Sequence, residues 1–179
     1  RKWRNDLQKG EQSALEVRRH EAPDQLDALY ALAGVTATRK GFVVGVSREV
    51  AERFVAASVP GTASVFTATA PEGTLVSAAL MVTFNHTTHY LVGASVSKDD
   101  PAFYRGASNL IQWTALQWAR GAGSLDYNLE GLDLAGNPGV YHFKDRMNGR
   151  MVHRRGVWVR TGNRLATALL QRVLRRRMP

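Results

Sequence analysis

The chain has 179 residues, of which 44% are hydrophobic, and it contains no cysteine. This length and apolar content point to one packed domain and exclude a disordered or collagen-like chain, while the lack of cysteine excludes disulfides, thiol nucleophiles and thiolate metal sites. The 24 lysines and arginines outnumber 15 acidic residues, and the resulting net charge of +9 favours polyanionic partners such as nucleic acid, anionic lipid or phosphorylated substrates.

The first residues, Arg1–Arg4, include no methionine, and the charged residues that follow leave no apolar core for a signal peptide. We therefore expect a fragment or a processed piece, folded as a single domain over residues 1–179. Segment 1–12 is predicted to be a charged helix and segment 14–20 a short strand. A stripe of apolar residues over 26–33 indicates a second helix, which Gly34 weakens near its end.

Ser47 is a suitable N-cap for a third helix that runs through about Ser58. The residues predicted to face inward from this helix are Val50, Phe54, Val55 and Ala57. Three β-branched segments separated by turn signals follow and predict an antiparallel meander. These segments are 63–70, 74–84 and 88–96; the apolar run within 74–84 is shorter than the ~18 residues of a membrane span.

The second half of the chain continues the alternation of helices and strands. Helical spacing predicts helices over 109–120 and 139–146 and a last helix after Asn163, while segments 125–129 and 151–159 are predicted strands. The whole order predicts an α/β (α+β) domain with a central mixed, largely antiparallel sheet and flanking helices. This order resembles the fold of the GCN-five-related N-acetyltransferases.

The strongest local pattern lies between Tyr127 and Gly149. It reads Tyr127-Asn128-Leu129-Glu130-Gly131, then Gly139-Val140-Tyr141-His142-Phe143-Lys144, and closes with Met147-Asn148-Gly149. It resembles the signature Tyr-Asp-Phe-x-Gly and Gly-Leu-x-x-Phe-Lys-x-x-Phe-Gly of the Fem-type peptidoglycan aminoacyltransferases. Here Asn128 replaces an aspartate, and Met147-Asn148-Gly149 replaces Phe-Gly. The basic segment 4–9, the Thr-x-x-Arg-x-Gly-Phe segment 36–42 and the alanine-rich segment 113–121 extend the resemblance to the second lobe of that family over nearly the whole chain.

The resemblance implies transfer of an aminoacyl group from aminoacyl-tRNA to the amine of a peptidoglycan precursor, which forms an interpeptide bridge. It implies no cofactor beyond aminoacyl-tRNA as co-substrate, and a nucleotide- or lipid-linked precursor. It also implies a first lobe, or a second copy of the chain, that holds most of the precursor. The expected location is the cytoplasm, at the inner face of the membrane.

Amine attack on an ester requires a positioned carbonyl and a stabilised oxyanion. Lys144 supplies a cation for the oxyanion or for tRNA phosphates, and Phe143 would order its stem and exclude water. The alternative is a core aromatic next to a solvated amine. Lys144 and Phe143 are the predicted catalytic residues.

Five further residues are predicted to bind substrate, each with a structural alternative. Thr36 and Arg39 lie three apart after the second helix, and Arg39 could hold a carboxylate or phosphate or act as a helix C-terminal cation. Tyr127 could line a pocket or fill the sheet. Asn128 could bind an amide or carboxylate, and Gly131 could allow a ligand close to the backbone or form a turn.

Two other chemistries receive less support. A coenzyme A site would need two spaced glycines before the helix at 109, whereas Phe103–Asn109 offers Arg105 and Gly106, enough for one phosphate. His86 and His89 flank a tight turn without acidic or cysteine partners at ligand spacing, so no metal site is predicted.

Basic residues at both ends of the chain are predicted to bind the phosphates of tRNA without reading sequence, or alternatively anionic lipid; the structural alternative is a solvated charged face. The C-terminal ones are Arg164, Arg172, Arg175, Arg176 and Arg177, and the N-terminal ones are Lys2, Arg4 and Lys9. The sequence therefore leaves three functions open: the aminoacyl transferase, a noncatalytic module that docks tRNA or a membrane, and an acyl-coenzyme A-dependent N-acyltransferase.

Overall fold

A computed structural model describes residues 2–41, 43–153, 166–168 and 172. The chain divides into one unit of residues Arg1–Gly149 and another of residues Arg150–Pro179. The helices of the first unit are α1 (Lys2–Glu11), α2 (Leu26–Lys40), α3 (Arg48–Ala57), α4 (Ala107–Gly121) and α5 (Pro138–Asp145). Its strands are β1 (Glu16–Glu21), β2 (Ala63–Thr69), β3 (Leu75–Phe84), β4 (Thr87–Ser95) and β5 (Asp126–Asn128).

The five strands form one sheet in the order β1-β2-β3-β4-β5. β1 to β4 pair antiparallel as a meander, and β5 joins β4 in parallel. Helix α4 lies between β4 and β5 in the chain and supplies the crossover that a parallel pair needs. The predicted mixed, largely antiparallel sheet with flanking helices is confirmed.

Alternate residues of the strands build a separate apolar cluster on each face of the sheet. Leu29 of α2 packs with Val65 and Leu80 on one face, and Ile111 of α4 packs with Phe66 and Met81 on the other; all six are buried. The almost complete burial of β2 and of most of β3 follows from this arrangement, because central strands covered on both faces have no solvent side.

Strand β4 contains a β-bulge at Leu91. Leu80 pairs with Val92 but Met81 pairs with Tyr90, so that Leu91 is an extra residue. Val92 therefore joins the α2 cluster while Tyr90 packs against the α4 cluster. A bulge bends its strand and increases the local twist. The parallel pairing with β5 ends at His89 opposite Asn128, just before the bulge, although β4 continues to Ser95.

Helix α1 packs directly on the first turn of α4. Gly106, the N-cap residue of α4, has a φ of 91°, and a Cβ built there would overlap Asp6 O and lie 2.7 Å from Gly10 N. Arg105 Nε donates to Asp6 Oδ1 over 2.8 Å beside this contact. The two backbones can come this close only because neither Gly10 nor Gly106 has a side chain.

Two details of the predicted helices were wrong. Helix α2 continues through the exposed Gly34 to Lys40, so Thr36 and Arg39 lie inside it and not after it. The Ser47 cap is confirmed, since its side chain accepts a hydrogen bond from Val50 N. However, the predicted inward stripe of α3 is wrong at Val50, Phe54 and Ala57, which are exposed; Val55 is half-buried, and Ala51 is the buried residue of this helix.

The C-terminal predictions fall mostly outside the described residues. Residues 151–153 are not in a strand, the rest of the predicted strand to 159 is outside, and residues 166–168 and 172 are helical. Within the parts of the chain that the structure describes, no helix is both long enough and apolar enough to cross a lipid bilayer.

Candidate functional site

A buried lysine defines the candidate site. Asn137 caps α5 by accepting a hydrogen bond from Val140 N, and Pro138 occupies the first turn, where its missing N–H costs nothing. Lys144 in the last turn is only 9% exposed, and its Nζ donates to Gly131 O over 2.9 Å. Burial lowers the pKa of Lys144, and the nearby charge of Glu130 partly opposes that effect. A buried amine with a perturbed pKa is a marker of a functional site.

Tyr90 lies beside this amine, and Tyr127 is a neighbour of Tyr90. The centre of the Tyr90 ring is 5.6 Å from Lys144 Nζ, within the range of a cation–π contact. Tyr127 of β5 donates its hydroxyl to Gln112 Oε1 of α4 over 2.8 Å. Burial raises the pKa of Tyr90 to about 12, and burial together with Tyr90 raises the pKa of Tyr127 as well. Both phenols are therefore neutral at physiological pH.

The Tyr90 ring is held against the backbone of its own strand at Gly93. A Cβ built at Gly93 would overlap Tyr90 Oη and lie 2.6 Å from Cζ. Gly93→Ala should therefore displace the ring from its position on β4, and lower the free energy of unfolding by about 1–3 kcal/mol. Urea unfolding and the ring resonances of Tyr90 would measure both effects.

Gly45→Ala is a matched control for that substitution, because a Cβ there meets nothing within 4 Å. Unchanged stability and unchanged Tyr90 resonances in Gly93→Ala, equal to those of the control, would contradict this packing.

The turn that carries the Gly131 carbonyl is fixed by polar contacts. Asn128 Oδ1 accepts the backbone N–H of Glu130 over 2.8 Å, and Glu130 has a left-handed φ of 61°. Glu130 Oε1 lies 2.6 Å from His89 Nδ1, so the carboxylate accepts the Nδ1 proton. Asn128 Nδ2 is 3.4 Å from the same ring nitrogen. Strand β5 ends in a turn whose backbone and side chains are both anchored.

The structure brings four of the predicted site residues together. Lys144 contacts Gly131 and Tyr90, Tyr127 stands beside Tyr90, and Asn128 holds the turn. The half-buried Phe143 precedes Lys144 in α5. Their roles toward substrate stay predictions. Gly131 contributes its carbonyl, and a Cβ there would meet nothing within 4 Å, so no close approach at this position requires a glycine.

Thr36 and Arg39 are not part of this group. Both lie in α2, which covers the opposite face of the sheet from α4. Thr36 is buried and donates to Leu32 O or Ser95 O, and Arg39 is exposed and donates to Ser97 Oγ. Their predicted position after the helix was wrong because Gly34 does not end α2. They hold α2 to the end of β4.

The predicted tRNA-binding arginines lie almost entirely outside the described residues. Arg172 is helical and exposed, while Arg175, Arg176 and Arg177 fall outside. Among the described residues, no group of three or more histidine and acidic side chains is arranged to hold a metal ion.

Cavity size does not select the site. A depression of about 260 Å³ beside β1 is lined by Arg18, His20 and Thr67 together with Gln25 and Ala28. It lies on the α2 face and includes none of the residues around Lys144. The buried amine and its partners therefore mark the site by chemistry and not by volume.

The comparisons with known proteins place this chain in a family. The family model FemAB matches residues 60–173, which is more than half of the chain. The chain belongs to the FemAB family. No curated protein matches it.

Solved structures share the fold at low sequence identity. The structure of FemX superposes with a TM-score of 0.63 at 17% identity, over 74% of this chain and 48% of that one. The C-terminal domain of a lysylphosphatidylglycerol synthetase from Agrobacterium fabrum, described as putative, gives 0.54 at 16%, over 82% and 46%. An aminoglycoside acetyltransferase from an uncultured soil metagenomic sample gives 0.55 at 13%, over 84% and 97%. The chain therefore spans about half the length of FemX and the whole length of a small acetyltransferase.

Sequence reasoning missed three residues of the site. The sequence places Tyr90 in a predicted strand and gives it no role in the site. It suggests His89 only as a metal ligand with His86. Glu130 stands at the variable position of the motif, which assigns it no function. The contact between His89 and Glu130 joins residues 41 apart. The one signal for Glu130 in the sequence is that it precedes Gly131. No feature of the sequence pairs Glu130 with His89.

Proposed function

We propose that this chain is the lobe of a Fem-type transferase that moves an aminoacyl group from aminoacyl-tRNA to the amine of a peptidoglycan precursor peptide. The observation that carries the proposal is the buried Lys144 amine, bonded to Gly131 O beside the Tyr90 ring. It lies in a chain of the FemAB family, within the part that the family model matches. Lys144 and Phe143 are the proposed catalytic residues.

The reaction needs a stabilised tetrahedral centre. The neutral precursor amine attacks the ester carbonyl, an amide C–N bond forms and the ester C–O bond breaks. The amine proton leaves with the ribose hydroxyl of the tRNA. An ammonium held in a water-poor site stabilises the oxyanion without the cost of reorienting water. Because one N–H of Lys144 is used by Gly131 O, the amine is held in place, and its remaining protons are the ones we propose to donate to the oxyanion.

The proposed partners follow from charge and length. A net charge of +9 suits a polyanion such as aminoacyl-tRNA, and the C-terminal arginines are proposed to contact its phosphates. Because the chain spans 48% of FemX, a first lobe or a second copy is proposed to hold the nucleotide- or lipid-linked precursor. We propose action in the cytoplasm, at the inner membrane face, where anionic lipid attracts a basic surface.

Contacts at the start of α4 argue against the acyl-coenzyme A alternative. In a coenzyme A enzyme a helix N-terminus cradles pyrophosphate through free N–H groups. Here the N-cap Gly106 is buried against Asp6 O, and the Arg105 guanidinium is paired with Asp6. The residues that the sequence offered for one phosphate are therefore engaged by α1.

The test is a transfer assay with separate donors. The full-length protein is incubated with labelled aminoacyl-tRNA and a nucleotide-linked precursor peptide, and the amide product is identified by mass spectrometry. Product from aminoacyl-tRNA supports the proposal. Product from acetyl-coenzyme A alone, with protection against heat unfolding by coenzyme A, would assign the chain to the acyltransferases. Binding of tRNA without product from either donor would identify a docking module.

Neutralising the C-terminal arginines should weaken tRNA binding. Replacing Arg172, Arg175, Arg176 and Arg177 with alanine is expected to lower affinity and to reduce the slope of log K against log salt by about 0.9 for each phosphate that the protein no longer neutralises. Filter binding over a range of salt concentrations measures both. Arg18→Ala, which removes an exposed arginine paired with Glu16, is the control and should leave the slope unchanged. A tRNA affinity that does not change with salt concentration would contradict the proposal that these arginines bind tRNA phosphates.

A further inference from the structure

Helix α4 carries an exposed tryptophan on the side that faces away from the sheet. Gly106, Asn109 and Trp113 are three and four residues apart and therefore share one stripe of the helix. Helix α1 crosses the first two of them, since a Cβ on Gly106 would overlap Asp6 O and Asn109 Nδ2 donates to Trp3 O over 3.5 Å. Trp113 is the next member of the stripe beyond this crossing, and it is 39% exposed whereas Asn109 is buried.

The two helices around this ring are rich in cations. Helix α4 contains no acidic residue. Of the two acidic residues of α1, Asp6 is paired with Arg105 Nε over 2.8 Å, which leaves Glu11 at the end of the helix. This layer therefore complements a polyanion. We call its exposed cations and Trp113 the α1–α4 surface, which consists of Lys2, Arg4, Lys9, Trp113 and Arg120.

The same helix borders the candidate site with its other side. Gln112, the residue before Trp113, is buried and accepts the hydroxyl of Tyr127 over 2.8 Å. Tyr127 is a neighbour of Tyr90, whose ring contacts Lys144. A helix with its side chains is about 10–12 Å across. A ligand that lies on Trp113 therefore has about one helix width to pass before it reaches the residues of the site.

We propose that the α1–α4 surface binds the unpaired 3′ end of aminoacyl-tRNA, with one base stacked on Trp113 and the neighbouring phosphates beside the cations. The identity of this RNA rests on the proposed function. An exposed aromatic ring stacks on an unpaired base of any kind, and cations follow the phosphates without reading sequence. The 3′ end is the unpaired part of the tRNA that carries the aminoacyl ester, so it has to approach the site.

An anionic membrane is a poorer match for this surface. A helix that lies in the bilayer interface inserts a broad apolar face. On the stripe of α4 that faces away from the sheet, Trp113 is a single ring whose neighbours one and two turns away are polar, namely Asn109, Gln117 and Arg120. The cations suit either partner, whereas one ring between polar residues suits a nucleobase.

Two hairpin RNAs test this inference. Both contain the same acceptor stem, one with an unpaired 3′ end and one with a blunt end, and filter binding to the full-length protein measures both dissociation constants. Trp113→Ala should weaken binding of the RNA with the unpaired end by about 5- to 150-fold, the usual effect of losing one base stacked on an aromatic ring. Its affinity for the blunt RNA should not change. Trp113→Phe keeps a ring and should keep most of the affinity, and circular dichroism verifies folding.

The dependence on salt separates stacking from charge. Trp113→Ala removes no charge, so its slope of log K against log salt should equal that of the wild type. Replacing Lys2 and Arg4 with alanine should reduce the slope by about 0.7 for each phosphate of the single strand that is no longer neutralised. Phe84→Ala is the matched control, because it removes a ring that is 76% exposed in β3, and it should bind both RNAs as the wild type does.

The outcomes distinguish this inference from the proposed function. Wild-type affinity of Trp113→Ala for the RNA with the unpaired end would overturn the inference, and so would an equal loss for both RNAs. Weaker binding of Trp113→Ala to phosphatidylglycerol vesicles, with RNA binding unchanged, would assign the ring to a membrane. Transfer by Trp113→Ala at the wild-type kcat/KM for aminoacyl-tRNA would overturn the inference while the proposed function stands. A wild type that prefers the unpaired end but transfers nothing would defeat the proposed function and leave the RNA contact in place.

Discussion

Lys144→Met should lower the rate of aminoacyl transfer by about 10²–10³, the usual cost of removing one group that stabilises an oxyanion. Methionine keeps an unbranched apolar stem among the residues that bury Lys144, so the fold should persist while the ammonium and its bond to Gly131 O are removed. The loss should appear in kcat, with tRNA affinity nearly unchanged, because the cation acts on charge that develops in the transition state.

The matched control is Lys98→Met, which removes an exposed lysine outside the site and should leave the rate unaltered. Steady-state transfer rates, with circular dichroism to verify folding, measure the effect. A Lys144→Met protein that is folded and as fast as Lys98→Met would remove Lys144 from the chemistry.

Lys144→Met should also change how the free energy of unfolding depends on pH. Since burial lowers the pKa of Lys144, the unfolded chain binds this proton more tightly than the native state does. The contribution of Lys144 to the free energy of unfolding therefore rises with pH between its lowered pKa and the ordinary lysine value. Urea unfolding at several pH values should show this rise in the wild type and its loss in Lys144→Met.

Gly106→Ala should destabilise the domain by about 3 kcal/mol or more, a large part of the stability of an ordinary domain. Two costs add up. The φ of 91° is unfavourable for any residue with a Cβ, and the new methyl group would overlap Asp6 O on α1. Relief requires α1 to move off the start of α4. Urea unfolding would measure the loss.

Gly73→Ala separates these two costs. Gly73 has a φ of 89°, nearly that of Gly106, but a Cβ there meets nothing within 4 Å. Its cost should be about 1 kcal/mol, from the backbone alone. Equal losses of stability in the two variants would mean that α1 can move away from α4 at no cost in free energy, contrary to the packing described.

The sequence predicted the order of helices and strands well, because hydrophobic periodicity and the positions of turn and cap residues are local properties of the chain. Alternation and turn residues located the three meander strands, and the Ser47 cap located the start of α3. The motif located Lys144 because the lysine follows an aromatic at a spacing that can be compared with a known family. In each case the signal lies within about ten residues.

The features that the sequence did not predict depend on contacts between residues far apart in the chain. Gly34 weakens a helix in isolation, but α2 is held by its packing on β3 and β4 and runs past it. Tyr90 faces α4 because of the extra residue at Leu91, which no alternation pattern reveals. The partner of His89, Glu130, lies in the turn after β5, and only the parallel register of β4 and β5 places the two residues near each other.

The bulge at Leu91 has a consequence for the path of β4 next to Tyr90, the residue whose ring contacts Lys144. A chain shortened by Leu91 would keep Tyr90 opposite Met81 and Val92 opposite Leu80, so every side chain would remain on its present face. What would disappear is the bend and the extra twist that a bulge gives its strand. Leu91 therefore determines the path of β4 beyond Tyr90 but not the face on which any side chain lies, and deletion of this one residue would alter that path while keeping the residues that contact Lys144.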